Sequence, residues 1–149
     1  MKKLLIGGMC IAFALLASSV EVFSQTEDEK AIKECVLNYL EGWYSADSAR
    51  MAKALSTDLA KKGFVKRRGS DELAIVPATY SQMVQWSGQK PNQMKDNPDL
   101  PLKVNIIEVG ENIAMVKTIA PDFIDYLQLA KMHGEWKIYH AVWEPPQGN

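Results

Sequence analysis

The sequence predicts an α+β domain, with about three helices in the N-terminal half packed on a curved, mostly antiparallel sheet. Two observations carry this. From Ile32 to Trp43, apolar residues recur at spacings of three and four, the period of a helix with one buried stripe. The last third instead holds apolar runs rich in Val and Ile, split at Gly110-Glu111 and at His133-Gly134, which is the signature of two hairpins. Helices segregated from a run of strands make a layered α+β architecture.

The first helix is expected to start at Thr26, which forms a capping box with Glu29. Its stripe is Ile32, Cys35, Val36, Tyr39, Leu40 and Trp43, and Gly42 weakens its end. Ser45 or Asp47 can cap a second, short helix through Met51 and Leu55. Residues 58–68 read as an exposed strand, followed by a polar turn at Gly69-Ser70-Asp71. Pro77 and the Thr79/Gln82 capping box announce a third helix, with Met83, Val84 and Trp86 as its apolar positions and Gly88 as its stop. Residues 89–101, with Pro91, Pro98 and Pro101, read as a long loop that either covers a cavity mouth or serves as a stiff connector.

Strands follow at 102–109, 112–120, 123–132 and 135–143. A two-residue turn at His133-Gly134 sets Lys131 against Trp136, Leu129 against Ile138 and Leu127 against His140. Alternation then puts Asp125, Leu127, Leu129, Lys131, Trp136, Ile138, His140 and Val142 on one face, against the helices. Tyr126, Gln128, Tyr139 and Trp143 take the outer face.

The N-terminus reads as an export leader over residues 1–24. Met1-Lys2-Lys3 is a basic start, Leu4 to Ala17 is an apolar run, and small residues follow at Ala17, Ser18, Ser19 and Ser24. The run is shorter than the ~20 residues a spanning helix needs, so no stable membrane insertion is expected after cleavage. Cleavage after Ser24 is expected, with Ser19 as the alternative. Cys10 sits inside the apolar run rather than at its end, which argues against lipidation. The protein is thus expected to be secreted or periplasmic, with one domain over 25–149. That domain keeps a single cysteine, Cys35, so no internal disulfide can form. Its 15 basic and 17 acidic side chains give no long-range pull on nucleic acid.

This order of elements resembles the nuclear transport factor 2-like (NTF2-like) superfamily, a cystatin-like α+β cone. Within it the chain is most similar to the putative lumazine-binding and SnoaL-like exported bacterial proteins. The carrying segments are Tyr39-Leu40-Glu41-Gly42-Trp43 with Asp47, Asp58-Leu59-Ala60-Lys61-Lys62, and Phe123-Ile124-Asp125-Tyr126-Leu127 continuing through Leu129, Lys131, Gly134, Trp136, Lys137 and Ile138. The resemblance covers roughly residues 28–144. Where family members often carry His-Pro before the Asp-Leu segment, this chain has Ser56-Thr57. The resemblance implies a cone with an open mouth. It does not imply one activity, since this fold hosts enzymes and binders alike.

Two sets of residues could carry chemistry. Asp125 and His140, diagonal neighbours in the expected register, could form an acid–base pair; the alternative is a satisfied core histidine and a structural carboxylate. Tyr39, Trp43, Tyr80 and Trp86, with Phe64, could line a ligand pocket; the alternative is ordinary core packing. Lys61, Lys62, Lys66, Arg67 and Arg68 are concentrated on one strand, but alternation sends Lys61 and Val65 to one side and Lys62 and Phe64 to the other. With two histidines and one mature cysteine, neither a dedicated metal site nor a cofactor is expected. Three functions remain: an exported, non-catalytic binder of a small molecule; a cofactor-independent isomerase or dehydratase using Asp125 and His140, with Tyr39 or Tyr80 as oxygen donor; or a homodimeric interaction protein using Tyr139 and Trp143 on the outer sheet face.

Overall fold

A computed structural model describes the backbone of residues 9–146 and the side chains of residues 27–146. The elements are α1 (Met9–Tyr44), α2 (Ser48–Ala54), β1 (Leu55–Lys66), β2 (Leu73–Ala78), α3 (Tyr80–Gln89), α4 (Gln93–Asp96), β3 (Lys103–Val109), β4 (Ile113–Ile119), β5 (Ile124–Met132) and β6 (Glu135–Glu144). The expected leader, residues 1–24, and the side chain of Thr26 lie outside the described side chains. The helical backbone runs on through Thr26, where a start was expected. Among the described residues no helix is long and apolar enough to cross a membrane.

α1 buries Ile32, Val36, Leu40 and Tyr44 along one stripe, as its periodicity requires. Asp47 caps α2 by accepting from the amides of Ala49 and Arg50, both at 3.0 Å. Gly42 has a stronger reason than a weak helix end: a Cβ there would stand 2.8 Å from the Met51 amide nitrogen. The missing side chain lets α2 fold back against α1. The Thr79/Gln82 capping box opens α3 as expected. The 89–101 segment contains one helical turn, α4, capped by Asn92.

The six strands form one sheet in the order β2-β1-β6-β5-β4-β3. The β1–β6 pair is parallel and the other pairs are antiparallel. The helices cover one face of this curved sheet, and the core lies between them. β2 was not expected. Leu73–Val76 is a four-residue apolar run without alternation, and Pro77 reads as a break. At a sheet edge, however, a proline costs no ladder bond, and Pro77 there pairs with Lys62.

The β5–β6 hairpin turns at His133 and Gly134, both with positive φ (52° and 81°), the geometry of a two-residue type I′ turn. Lys131 faces Trp136 and Leu129 faces Ile138, as expected. The register then shifts by one residue: Gln128 pairs with His140, Leu127 with Ala141 and Asp125 with Trp143. The extra residue in β6 is a bulge at Tyr139, which reverses the facing of everything after it. Ala141 and Trp143 therefore point to the helices, while His140 and Val142 are exposed on the outside. The expected pairing of Leu127 with His140, the inward facing of His140 and Val142, and the outward facing of Trp143 are all corrected by this one residue.

Candidate functional site

The site grows from an unusual choice on β1. Leu59, Lys61 and Gly63 share its inner face, so a lysine takes a core position. Lys61 is only 7% exposed, and such burial of a cation requires a partner. That partner is Asp125 of β5, 1% exposed, whose Oδ1 lies 2.5 Å from Lys61 Nζ. Tyr39 of α1 completes the cluster. Its hydroxyl donates to Asp125 Oδ1 at 3.0 Å and accepts from Lys61 Nζ at 2.6 Å. Thr118 of β4 donates to the other carboxylate oxygen at 3.3 Å. Four elements thus converge on one buried, charge-balanced network.

Burial dominates the electrostatics. Desolvation pushes the Lys61 ammonium below its ordinary pKa, against the pull of the Asp125 charge. Desolvation and the neighbouring carboxylate together hold the Tyr39 phenol well above its ordinary pKa, so it keeps its proton.

Lys61 and Tyr39 form the polar end of a cavity of about 210 Å³. Its walls are Trp43, Trp86, Phe123 and Trp143, with Val76, Ala78 and Met83 closing the side under β2 and α3. Phe123 joins two of these rings edge-on: its centroid is 5.8 Å from Trp43 and 4.8 Å from Trp143. Lys90, just after α3, places its ammonium 4.3 Å from the Trp43 ring centroid. Trp43 Nε1 is buried and has no hydrogen-bond partner among the described residues. An apolar cavity of about 150 Å³ holds a benzene molecule. This one accommodates a single ring with substituents.

The expected residues divide between the two faces of the sheet. Tyr39, Trp43 and Trp86 line the cavity. Tyr80 packs against the core without lining it. Phe64 lies on the opposite face of β1, paired with Ile75. Asp125 is inside and His140 outside, with its Nδ1 3.2 Å from Gln128 Oε1. The bulge at Tyr139 has removed the expected pair: the imidazole has Gln128, not Asp125, as its neighbour. His140 instead borders a groove on the outer face with Tyr139, Gln128, Ile113 and Met115. Of the basic strand, Lys61 alone points inward, while Lys66 is exposed and paired with Asp71 at 2.8 Å.

Lys61, Phe123 and Trp143 were not anticipated as lining. Alternation put Lys61 on the face opposite Phe64, but no local signal marked that face as the buried one. For Trp143 none was available without the bulge.

A family model described as "Putative lumazine-binding" matches residues 27–144. Solved structures share the fold at low sequence identity. An NTF2-like protein of unknown function from Silicibacter pomeroyi is 15% identical, with a TM-score of 0.61 over 82% of this chain and 98% of that one. One from Methylobacillus flagellatus is 22% identical, with a TM-score of 0.56 over 80% and 93%. A protein of unknown function with a cystatin-like fold from Nostoc punctiforme is 14% identical, with a TM-score of 0.56 over 81% and 92%. These bear out the cone that the sequence resembles. No curated protein matches the chain.

Proposed function

Since this chain belongs to the family described as "Putative lumazine-binding", we propose that it is an exported, non-catalytic domain that binds a small, largely apolar molecule in the cavity beneath α3. The observation that carries this reading is the cavity itself: four aromatic walls and one polar end, the usual composition of a ligand site. Export rests on the basic start and apolar run of residues 1–17. The mass of the protein recovered outside the cytoplasm tests it: a chain beginning at residue 25 or 20 supports export, and a full-length chain counts against it.

Binding is tested by thermal-shift screening with small aromatic compounds, since a ligand of the folded state alone raises the melting point. Trp86→Ala should weaken any hit about ten-fold, in line with loss of an aromatic contact worth about 1–2 kcal/mol. His140→Ala should leave it unchanged. A hit that responds to His140→Ala and ignores Trp86→Ala would move the site to the outer face.

A second reading, a homodimer through the outer sheet face, is favoured by a separate observation. Ile75, Ile113, Met115, Tyr126 and Val142 all stand exposed there. Several large apolar side chains exposed on one sheet face favour an interface there. Sedimentation of the mature chain tests it, with Val142→Lys expected to shift a dimer toward monomer. Trp143 plays no part in this surface.

A further inference from the structure

A buried amine at the end of an apolar cavity, flanked by a carboxylate and a phenol, is more than an ion pair needs. We propose that Lys61 is a covalent anchor whose amine condenses with the carbonyl carbon of a small, largely apolar aldehyde or ketone in this cavity and holds it as an iminium. This deepens the binding reading and rests on it.

The geometry supplies each proton the condensation moves. Asp125 Oδ1, 2.5 Å from Lys61 Nζ, takes one proton from the ammonium and frees the lone pair. The amine attacks the carbonyl carbon, forming the C–N bond. The developing oxygen receives a proton from Tyr39 Oη, itself 2.6 Å from Nζ, and the nitrogen returns one to the phenol. The protonated Asp125 then gives its proton to the carbinolamine hydroxyl, which leaves as water while the C=N bond forms. Overall, an ammonium and a carbonyl become an iminium and one water. The positive charge stays on the same nitrogen opposite the same carboxylate. The buried site therefore never holds an uncompensated charge, the state that would cost most. Desolvation of the amine favours its neutral, nucleophilic form.

The ligand class follows from the volume and the lining. A cavity of about 210 Å³ with one polar end fits a single ring bearing a carbonyl, and its walls offer little to a polar remainder. The other described lysines lack this combination. Lys53, for example, is exposed and paired only with Glu34.

Benzaldehyde with cyanoborohydride, which reduces an iminium to a stable secondary amine, tests the proposal on the mature protein. Peptide mapping should find one benzyl adduct on Lys61 that saturates with aldehyde and is suppressed by benzyl alcohol, which fits the cavity but cannot condense. Adducts spread over surface lysines with Lys61 unlabelled would overturn it. Tryptophan fluorescence titrated with benzyl alcohol separates the two levels of the argument. Saturable alcohol binding without a Lys61 adduct overturns the anchor and leaves the binding reading standing; neither binding nor adduct overturns both. Asp125→Asn should slow adduct formation by about a hundred-fold in the fraction of the variant that folds, measured beside its unfolding curve. An unchanged rate would overturn the part given to Asp125.

Discussion

Trp143 lies against Gly63 across the parallel β1–β6 ladder, so closely that a Cβ on residue 63 would fall 2.2 Å from the indole ring. The glycine therefore exists to admit the ring, not to bend the strand. Gly63→Ala should drive Trp143 from its place against Phe123 and cost about 1–3 kcal/mol, as overpacking does. Urea unfolding measures the loss. The tryptophan emission of the folded variant should change as well, because Trp143 is a cavity wall. Unaltered stability and emission would show that the strands part easily here, and that the cavity is not rigidly framed.

Lys61 and Asp125 should behave as a pair. Removing one partner leaves a buried charge alone, so Lys61→Met should cost about 3–5 kcal/mol. The double variant Lys61→Met, Asp125→Leu removes both charges and should recover most of that loss, since a buried ion pair contributes little net stability over apolar packing. Denaturant unfolding of both variants reads the coupling. Additive losses would mean that the two side chains are not in contact in solution.

How far the sequence reached depends on how local each signal is. The stripe Ile32, Val36, Leu40, the cap at Asp47, the Thr79/Gln82 box and the His133-Gly134 turn all lie within a few residues of the structure they specify, and all are found in place. The candidate site depended on register ten residues away from its turn. One extra residue at Tyr139 exchanged the faces, bringing Trp143 in and sending His140 out. Bulges carry no required residue type, so nothing in the residues around Tyr139 announces one. Lys61 was legible as a strand residue but not as a buried one, because its partner Asp125 is 64 positions along the chain. β2 was lost to a proline that only its edge position makes harmless.

Asp28 ties the described start of α1 to the far hairpin, accepting from Lys131 Nζ at 2.7 Å and Trp136 Nε1 at 3.0 Å. Those two donors, Lys131 first, hold its carboxyl below the usual carboxylate range. Between the folded and unfolded values the unfolded chain binds more protons, so this group's stabilisation is complete above about pH 4 and is lost as pH falls through the folded value. Asp28→Asn should lower the melting temperature at pH 6 and leave it nearly unchanged at the acid end, where the wild-type carboxyl is also protonated. A gap between the two proteins that stays constant from pH 6 to pH 2 would contradict the assignment.

Cys35 is held as a core thiol. It is 7% exposed on the α1 stripe, with its Sγ 3.4 Å from the Ala54 carbonyl, and burial pushes its pKa up to about 12. The thiolate is the reactive form, so in a chain of residues 25–149 a disulfide reagent at pH 8 should find no thiol in the folded state and one after denaturation. The same shift sets a sign at high pH. Above about 9 the unfolded chain loses this proton while the folded chain keeps it, so stability should fall as pH rises from 9 toward 12. Cys35→Ala removes the titrating group and should flatten that part of the fall, at a cost of about 1 kcal/mol for the lost sulfur packing at neutral pH. Fast labelling of the folded chain would place Cys35 on a segment that opens to solvent.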